Sequence, residues 1–551
     1  MDYRSWSLEE QVAQLFMLGY SGEKPNVITR RFLERGLGGL IFFRDNFDSL
    51  QPLNAPAIHE LLAGLSAAVP AHLPRPLLGI DQEGGQVERL PHTVFPTALT
   101  PLAVAMAPQP EALARDMYGI MAAHLRQLGF TLDFFPTLDV NLNPKNPIIG
   151  VRSFGNNPET VWRLGKTALQ EFEKAGVVTV GKHFPGHGNG TVDSHLDLPT
   201  LIFTEEELKP FQQAIDAGLP AMLVAHGYYP ALQTTPEERA LPSSASPAVI
   251  QGLLRERCGF EGVLITDDMC MGAITQHRSP VEAALASLRA GVDILLYKQS
   301  TEDEWAVYQA TLEAFRSEDL PMSQLYQSLE RITRLKARLS VQTPPPFNPM
   351  AFTPEACRMT ADGIALRGIG LLSGERERLP INPDTALLLV HPDRRKLGNY
   401  AFDVPTSDEL DAVIRQAGFS QISSIIYPTH CPFSASDLLQ SVEFEPQAIC
   451  MIGFNAWKQA DQTELYTKLR NTFPKAPIIL VSAGMPDSPD ILPNPDLHLS
   501  LCSYRPASVR ALAQILRHGL PALPAIAGAQ ACPPVSNLAG QGSSGPGGSQ
   551  L

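Results

Sequence analysis

The sequence has no run of about 18 apolar residues, so nothing in it reads as a membrane-spanning helix. It has no Lys/Arg cluster extensive enough to build a basic groove. The 43 basic residues stand against 57 acidic ones, a net charge of −14, which argues against nucleic acid or an anionic membrane as a partner. Cysteine is scarce. The seven (258, 270, 357, 431, 450, 502 and 532) are odd in number and scattered, with no CxxC pair. That argues against a disulfide framework or a zinc ribbon and fits reduced thiols in the cytoplasm. The opening residues, MDYRSWSLEEQVAQLFMLGY, lack a basic start followed by a long apolar stretch and a small-residue cleavage site, so no signal peptide is expected.

What the chain does have is apolar material. Hydrophobic residues make up 44% and charged ones 18% of its 551 residues, which supports large cores and excludes global disorder. The length predicts two or three domains. Over 1–340, short apolar runs alternate with amphipathic helix patterns. The strand candidates are 12–17, 39–43, 77–80, 132–135, 177–181, 221–224, 263–266 and 293–296. They are near-continuously apolar, the pattern of strands buried on both faces of a parallel sheet. Helix patterns at 56–68, 111–128, 158–175, 205–217, 247–255 and 280–290 lie between most of them, and several end in Gly. Eight such units predict an α/β fold, a (β/α)₈ TIM-like barrel, with an open doubly wound sheet as the alternative.

A helix pattern at 322–339 leads into a Pro-rich linker at 341–350. The rhythm then restarts, with strands at 386–390, 422–427, 448–453, 478–481 and 497–501 and helices at 407–417 and 507–517. This predicts a smaller C-terminal α/β three-layer sandwich over 351–535. The Gly/Ser-rich tail 536–551 reads as disordered.

Barrel active sites lie at the C-terminal strand ends. Strand 3 of this sequence ends in Asp81-Gln82-Glu83, strand 4 runs into Asp139 and then Arg152, strand 5 ends in Lys182-His183, strand 6 in His226 and strand 7 in Asp267-Asp268. Desolvating that many titratable groups at one rim costs several kcal/mol each unless they are paired, so folding alone does not explain them. The stretch KHFPGHGNGTVDSH (182–195) is the densest. Its glycines and proline exclude a helix. Asp193 is placed to orient the His195 imidazole for acid/base work; the alternative is a zinc site from His183, His187, His195 and a carboxylate. Between Asp267 and Asp268, the first reads as a nucleophile and the second as a helix cap or hydrogen-bonding neighbour.

These residues resemble glycoside hydrolase family 3, in its β-N-acetylhexosaminidase branch and two-domain form. The resemblance rests on DQEGGQVERL (81–90), the run from LDFFPTLDVNLNP to GVRSFG (132–155), KHFPGHGNGTVDSH, AHGYYPAL (225–232) and TDDMCMGAI (266–274), in the family's order. It implies Asp267 as nucleophile and His195 with Asp193 as the acid/base dyad. It implies Asp81, Arg89, Arg152, Lys182 and His183 as sugar-binding residues, with His226 and Met271 lining the pocket. Gln86 stands where many members carry Arg. The implied reaction is a retaining double displacement that releases terminal β-linked N-acetylglucosamine from a small oligosaccharide or glycopeptide, with no metal or organic cofactor. The alternatives are a phosphorylase using the same site, a metal-dependent hydrolase, or a non-catalytic sugar-binding protein. Should His195 not carry the proton, Glu83 is the next candidate. Oligomeric state is not legible in the sequence.

Overall fold

Ser7 opens the first helix. Its hydroxyl accepts the Glu10 amide and the Glu10 carboxylate returns to the Ser7 amide, a capping box that commits Leu8–Ala13 to helix. The first strand, β1, therefore begins later than the apolar pattern predicts, at Phe16–Leu18 rather than across 12–17. The chain is seen here in a computed structural model that describes residues 2–190, 198–276, 278–341, 345–393, 407–429, 431–486 and 491–521. Seven more strands follow: β2 (Gly39–Phe42), β3 (Leu77–Ile80), β4 (Leu132–Asp133), β5 (Val178–Phe184), β6 (Ala221–Val224), β7 (Val263–Asp268) and β8 (Ile294–Tyr297). Each pairs in parallel with the next, and β8 closes onto β1 with Phe16 opposite Leu295. The closed barrel, not the open sheet, is the fold.

The intervening helices start and stop where their caps dictate. Asn157 caps Pro158–Ala175, which ends at a left-handed Gly176, and Ser279 caps Pro280–Ala290, which ends at a left-handed Gly291. On the face opposite the strand ends, buried Asp293 precedes β8 as a fastener. Its carboxylate accepts from Arg255 Nη2 (2.8 Å), Arg331 Nη1 (2.9 Å), Ser328 Oγ (2.7 Å) and the Leu264 amide (2.9 Å). One side chain thus ties β7, β8 and the helix Met322–Val341 together.

The chain divides into two compact units, Met1–Gly368 and Ile369–Leu551. The boundary lies beyond the Pro-rich linker, because the helix after it belongs to the first unit. Phe347 stacks on His59 (4.6 Å between centroids), Phe352 meets His124 edge-on, and the helix Pro354–Gly368 follows against the barrel's own helices. The tail 536–551 lies outside the described residues.

The second unit holds a six-stranded sheet ordered β11-β10-β12-β13-β14-β9, where β9 is Gly370–Gly374, β10 Leu387–Pro392, β11 Ile422–Tyr427, β12 Ala448–Gly453, β13 Ile478–Ser482 and β14 Leu497–Ser500. Helices Ser407–Gln416 and Pro506–His518 pack together, as do Ala435–Gln440 and Ala460–Thr472, giving the three layers of an α/β sandwich. The antiparallel edge strand β9 was not anticipated. It is short, glycine-bounded and mostly exposed, so it carries no apolar run.

Removing the Asp293 carboxylate would leave the buried Arg255 without the counter-charge that Asp293 supplies. Asp293→Ala is expected to cost about 3–5 kcal/mol of stability, read as a lowered urea midpoint; an unchanged midpoint would show that the fastener is not needed.

Candidate active site

The loop after β3 turns back on itself. Gln82 Oε1 accepts the Arg89 amide at 2.9 Å and the Glu83 amide donates to Val87 O, which brings Arg89 beside Asp81. Lys182 and His183 sit near the end of β5, where its pairing with β6 loses register between Gly181 and Phe184. Such irregularities re-aim side chains at functional rims. Arg152 arrives from a 3₁₀ turn, Gly150–Arg152, in the loop after β4.

These side chains form one network. Lys182 Nζ lies 2.8 Å from Asp81 Oδ1 and 2.6 Å from Glu83 Oε1. Arg152 grips Glu83 with two parallel bonds, Nε to Oε2 at 2.9 Å and Nη2 to Oε1 at 2.7 Å. Arg89 Nη2 reaches Asp81 Oδ2 at 3.4 Å while its guanidinium lies over the Phe43 ring. Burial by itself would raise the Glu83 carboxyl, but the adjacent Arg152 and Lys182 charges hold it well below the usual carboxylate range. Asp81 is lowered in the same way, burial being outweighed by Lys182 and Arg89. The two carboxylates raise Lys182 despite its burial.

His183 is oriented from both sides. Its Nδ1 stands 2.6 Å from Asp139 Oδ2, and Arg152 Nη2 donates toward its Nε2 at 3.2 Å. The guanidinium has only protons to offer, so Nε2 supplies the lone pair and Nδ1–H donates to Asp139. With both ring nitrogens committed, His183 has no lone pair left for a cation. Asp139 also accepts the backbone amides of His183 (3.1 Å) and His187 (2.7 Å).

Beyond β5 the backbone turns without regular secondary structure, and side chains supplement its few backbone hydrogen bonds, such as Gly186 N–H to His183 O and Gly190 N–H to His187 O. Tyr229 Oη donates to Gly186 O (2.7 Å), Asn146 Nδ2 to His187 O (2.8 Å) and Asn143 Nδ2 to Gly190 O (3.0 Å). A Cβ at Gly188 would stand 1.7 Å from Val140 O, so only glycine fits there. The His187 ring is buried 6.4 Å from that of His183, and neither of its nitrogens has a hydrogen-bond partner among the described residues. Asp193 and His195 lie outside the described residues.

On the other side of the rim, Asp267 Oδ1 accepts the Asp268 amide at 2.8 Å, and the Asp267 charge acts on both His187 and His226. Asp268 accepts the amides of Cys270 and Lys298, each at 3.0 Å. His226 is saturated: Nδ1 meets Ser244 Oγ at 2.7 Å and Nε2 lies 3.2 Å from Asp268 O. It braces the end of β7 instead of presenting a free nitrogen. Met271 is buried and gives its amide to Asp268 O.

The structure thus joins Asp81, Arg89, Arg152, Lys182 and His183 in one cluster and sets Asp267 at the same rim. Sequence reasoning gave no binding task to Glu83 or Asp139, which hold that cluster together. Each was visible as a carboxylate at the end of an apolar run, where an unpaired charge is rare.

The family model of the glycosyl hydrolase family 3 N-terminal domain matches residues 7–335. The chain belongs to glycosyl hydrolase family 3. It is 34% identical over 386 residues to beta-hexosaminidase A of Pseudoalteromonas piscicida, a match covering 65% of this chain and 63% of that protein's length. It is 35% identical over 279 residues to a beta-hexosaminidase of Thiobacillus denitrificans, covering 48% and 73%. A solved glycoside hydrolase family 3 beta-N-acetylglucosaminidase from Paenibacillus sp. str. FPU-7 superposes with a TM-score of 0.80 at 30% identity, covering 93% of this chain and 97% of that one.

In this family 3 chain Glu83 is the carboxylate that two buried cations share. Glu83→Gln is expected to cost about 3–5 kcal/mol near neutral pH, because Lys182 and Arg152 lose a counter-charge. A carboxylate whose folded pKa is depressed stabilises the fold above its unfolded value and loses that contribution as the pH falls. The stability gap should therefore narrow below the ordinary glutamate value of 4.5. Urea unfolding of both proteins at neutral and acidic pH checks this, and a gap that widens in acid would contradict it.

Proposed function

We propose that this chain is a retaining glycosidase that releases terminal β-linked N-acetylglucosamine from small oligosaccharides or glycopeptides. The observation that carries the reading is the Asp81–Lys182–Glu83–Arg152–His183 cluster on the same barrel rim as Asp267, in a chain of this family. Asp267 attacks the anomeric carbon while His195, oriented by Asp193, protonates the departing oxygen. The resulting glycosyl-enzyme is opened by a water that His195 deprotonates. A histidine suits both steps near neutral pH without burial.

The hydrogen-bonding surfaces divide the remaining work. Asp81 keeps 17% of its side chain exposed and Glu83 none, so Asp81, with Lys182, Arg152, Arg89 and His183, takes the sugar hydroxyls and Glu83 positions the cations. Glu83 is held ionised, which leaves it no proton to donate and removes it as the alternative acid. His226 acts by bracing Asp267–Asp268, and Met271 by closing the apolar wall beside them. The free thiols of Cys258, Cys270, Cys357, Cys431, Cys450 and Cys502 suit a reducing compartment, the cytoplasm.

A fluorinated glycosyl donor followed by peptide mass spectrometry should label Asp267, and Asp267→Ala should lose nearly all turnover while staying folded. A label on another residue refutes the nucleophile. His195→Ala should impair glycosides with poor leaving groups about 10²–10⁴-fold more than activated aryl glycosides in glycosylation, with azide restoring part of the turnover. Equal losses on both substrate types would move the proton to another group. Product analysis with phosphate present separates a hydrolase from a phosphorylase, and β-glucoside and β-xyloside controls test the sugar.

A further inference from the structure

Glu207 stands in the first turn of the helix Glu205–Asp216, where Thr204 and Glu207 together resemble the two halves of a capping box. Only one half forms. The Glu207 amide donates to Thr204 Oγ1, but the carboxylate turns the other way, toward the backbone that leaves β5. Its Oε1 accepts the Asn189 amide at 3.0 Å and its Oε2 the Asn189 side-chain amide at 2.6 Å; the Gly188 amide donates to it as well. Gly186 is compressed against the same side chain, since a Cβ there would stand 2.9 Å from Glu207 Cβ. The carboxyl is buried, and among the described residues its donors come from the turn and its own N-cap.

We propose that Glu207 is a positioning residue for the reaction, whose ionised carboxylate holds the 186–190 turn from which the chain enters the segment carrying Asp193 and His195. The proposal rests on the glycosidase reading above. Among the described residues every hydrogen-bond partner of the carboxylate is a donor, so protonation forces one oxygen to give up an accepted bond and loosens the turn. Of the ionisable groups around it, Asp139 favours that loss. Asp139 faces it from the loop after β4 with a like charge, and Tyr229 lies on the β6 side with its hydroxyl committed to Gly186 O. On its own helix, Glu205 and Glu206 are exposed and paired with Arg257 and Lys209. Burial is the largest influence and raises the carboxyl to about 7, so the switch from holding to loosening falls near neutral pH.

The test is the pH dependence of kcat and KM on an aryl β-N-acetylglucosaminide for the full-length protein, Glu207→Gln and Asn189→Ala. The wild type should show an acid limb centred near pH 7, in which kcat drops about tenfold while KM changes little, as expected for a displaced catalytic group. Glu207→Gln should sit on the low plateau at every pH, with that limb gone. Asn189→Ala should move the limb to higher pH, since losing a donor favours the protonated carboxyl; it carries the test should the Gln variant not fold. A limb unchanged in the variants overturns the proposal and leaves the glycosidase reading standing.

Wild type without turnover of this substrate overturns the glycosidase reading instead. Hydrogen exchange, which needs no substrate, then decides on Glu207. The 186–190 amides should be about tenfold better protected in wild type than in Glu207→Gln above neutral pH and equal in acid, a fold-change of the size one lost charged hydrogen bond gives. Equal protection at both pH values overturns the proposal.

Discussion

Burying charge at the rim of a barrel is tolerable only when every charge is matched, and that requirement organises this site. Three carboxylates (Asp81, Glu83 and Asp139) and three cations (Arg89, Arg152 and Lys182) meet there, with His183 hydrogen-bonded between Asp139 and Arg152. Glu83 is the centre, fully buried and gripped by both Arg152 and Lys182. Displacing any of the three contributing segments would strand a buried charge at a cost of several kcal/mol. The site is therefore as rigid as the parallel pairing of β3, β4 and β5 that brings those segments together.

The same logic extends to the backbone. The turn after β5 has neither helix nor strand partners, yet its buried carbonyls and amides must be satisfied. Asp139 and Glu207 take amides, and Asn143, Asn146 and Tyr229 cover carbonyls. Five side chains from three different segments thus join the turn's own backbone bonds in satisfying it. Because two of them are carboxylates, the turn's geometry is tied to charge, and Asp139 links it directly to the His183 imidazole.

The braces at the opposite side work differently. Asp268 and His226 bind backbone amides and a backbone carbonyl, so the end of β7 is held largely through main chain. The two histidines the resemblance marks as sugar-facing thus differ in kind. His183 joins the charged cluster, whereas His226 is spent on structure.

The eight barrel strands were legible because each is a short apolar run bounded by turn residues, and the helices between them because their caps are written in local residues such as Asn157 and Gly176. Misplacements came where a local signal competed with hydrophobicity, as at the Ser7 capping box, or where burial was slight, as in β9. The cluster's members were legible too, as polar residues ending apolar strands. Their division of labour was not. Whether Glu207 completes a capping box or crosses to Asn189, whether His226 keeps a free nitrogen, and whether the helix at 354–368 packs on the barrel or beyond it depend on which distant groups arrive nearby. The sequence by itself determined the kinds of residues at the rim and the closed α/β architecture that carries them, since both are properties of local pattern. Only the tertiary structure decided which of those residues are consumed in holding the others, because a hydrogen bond between segments far apart in the chain has no local signature.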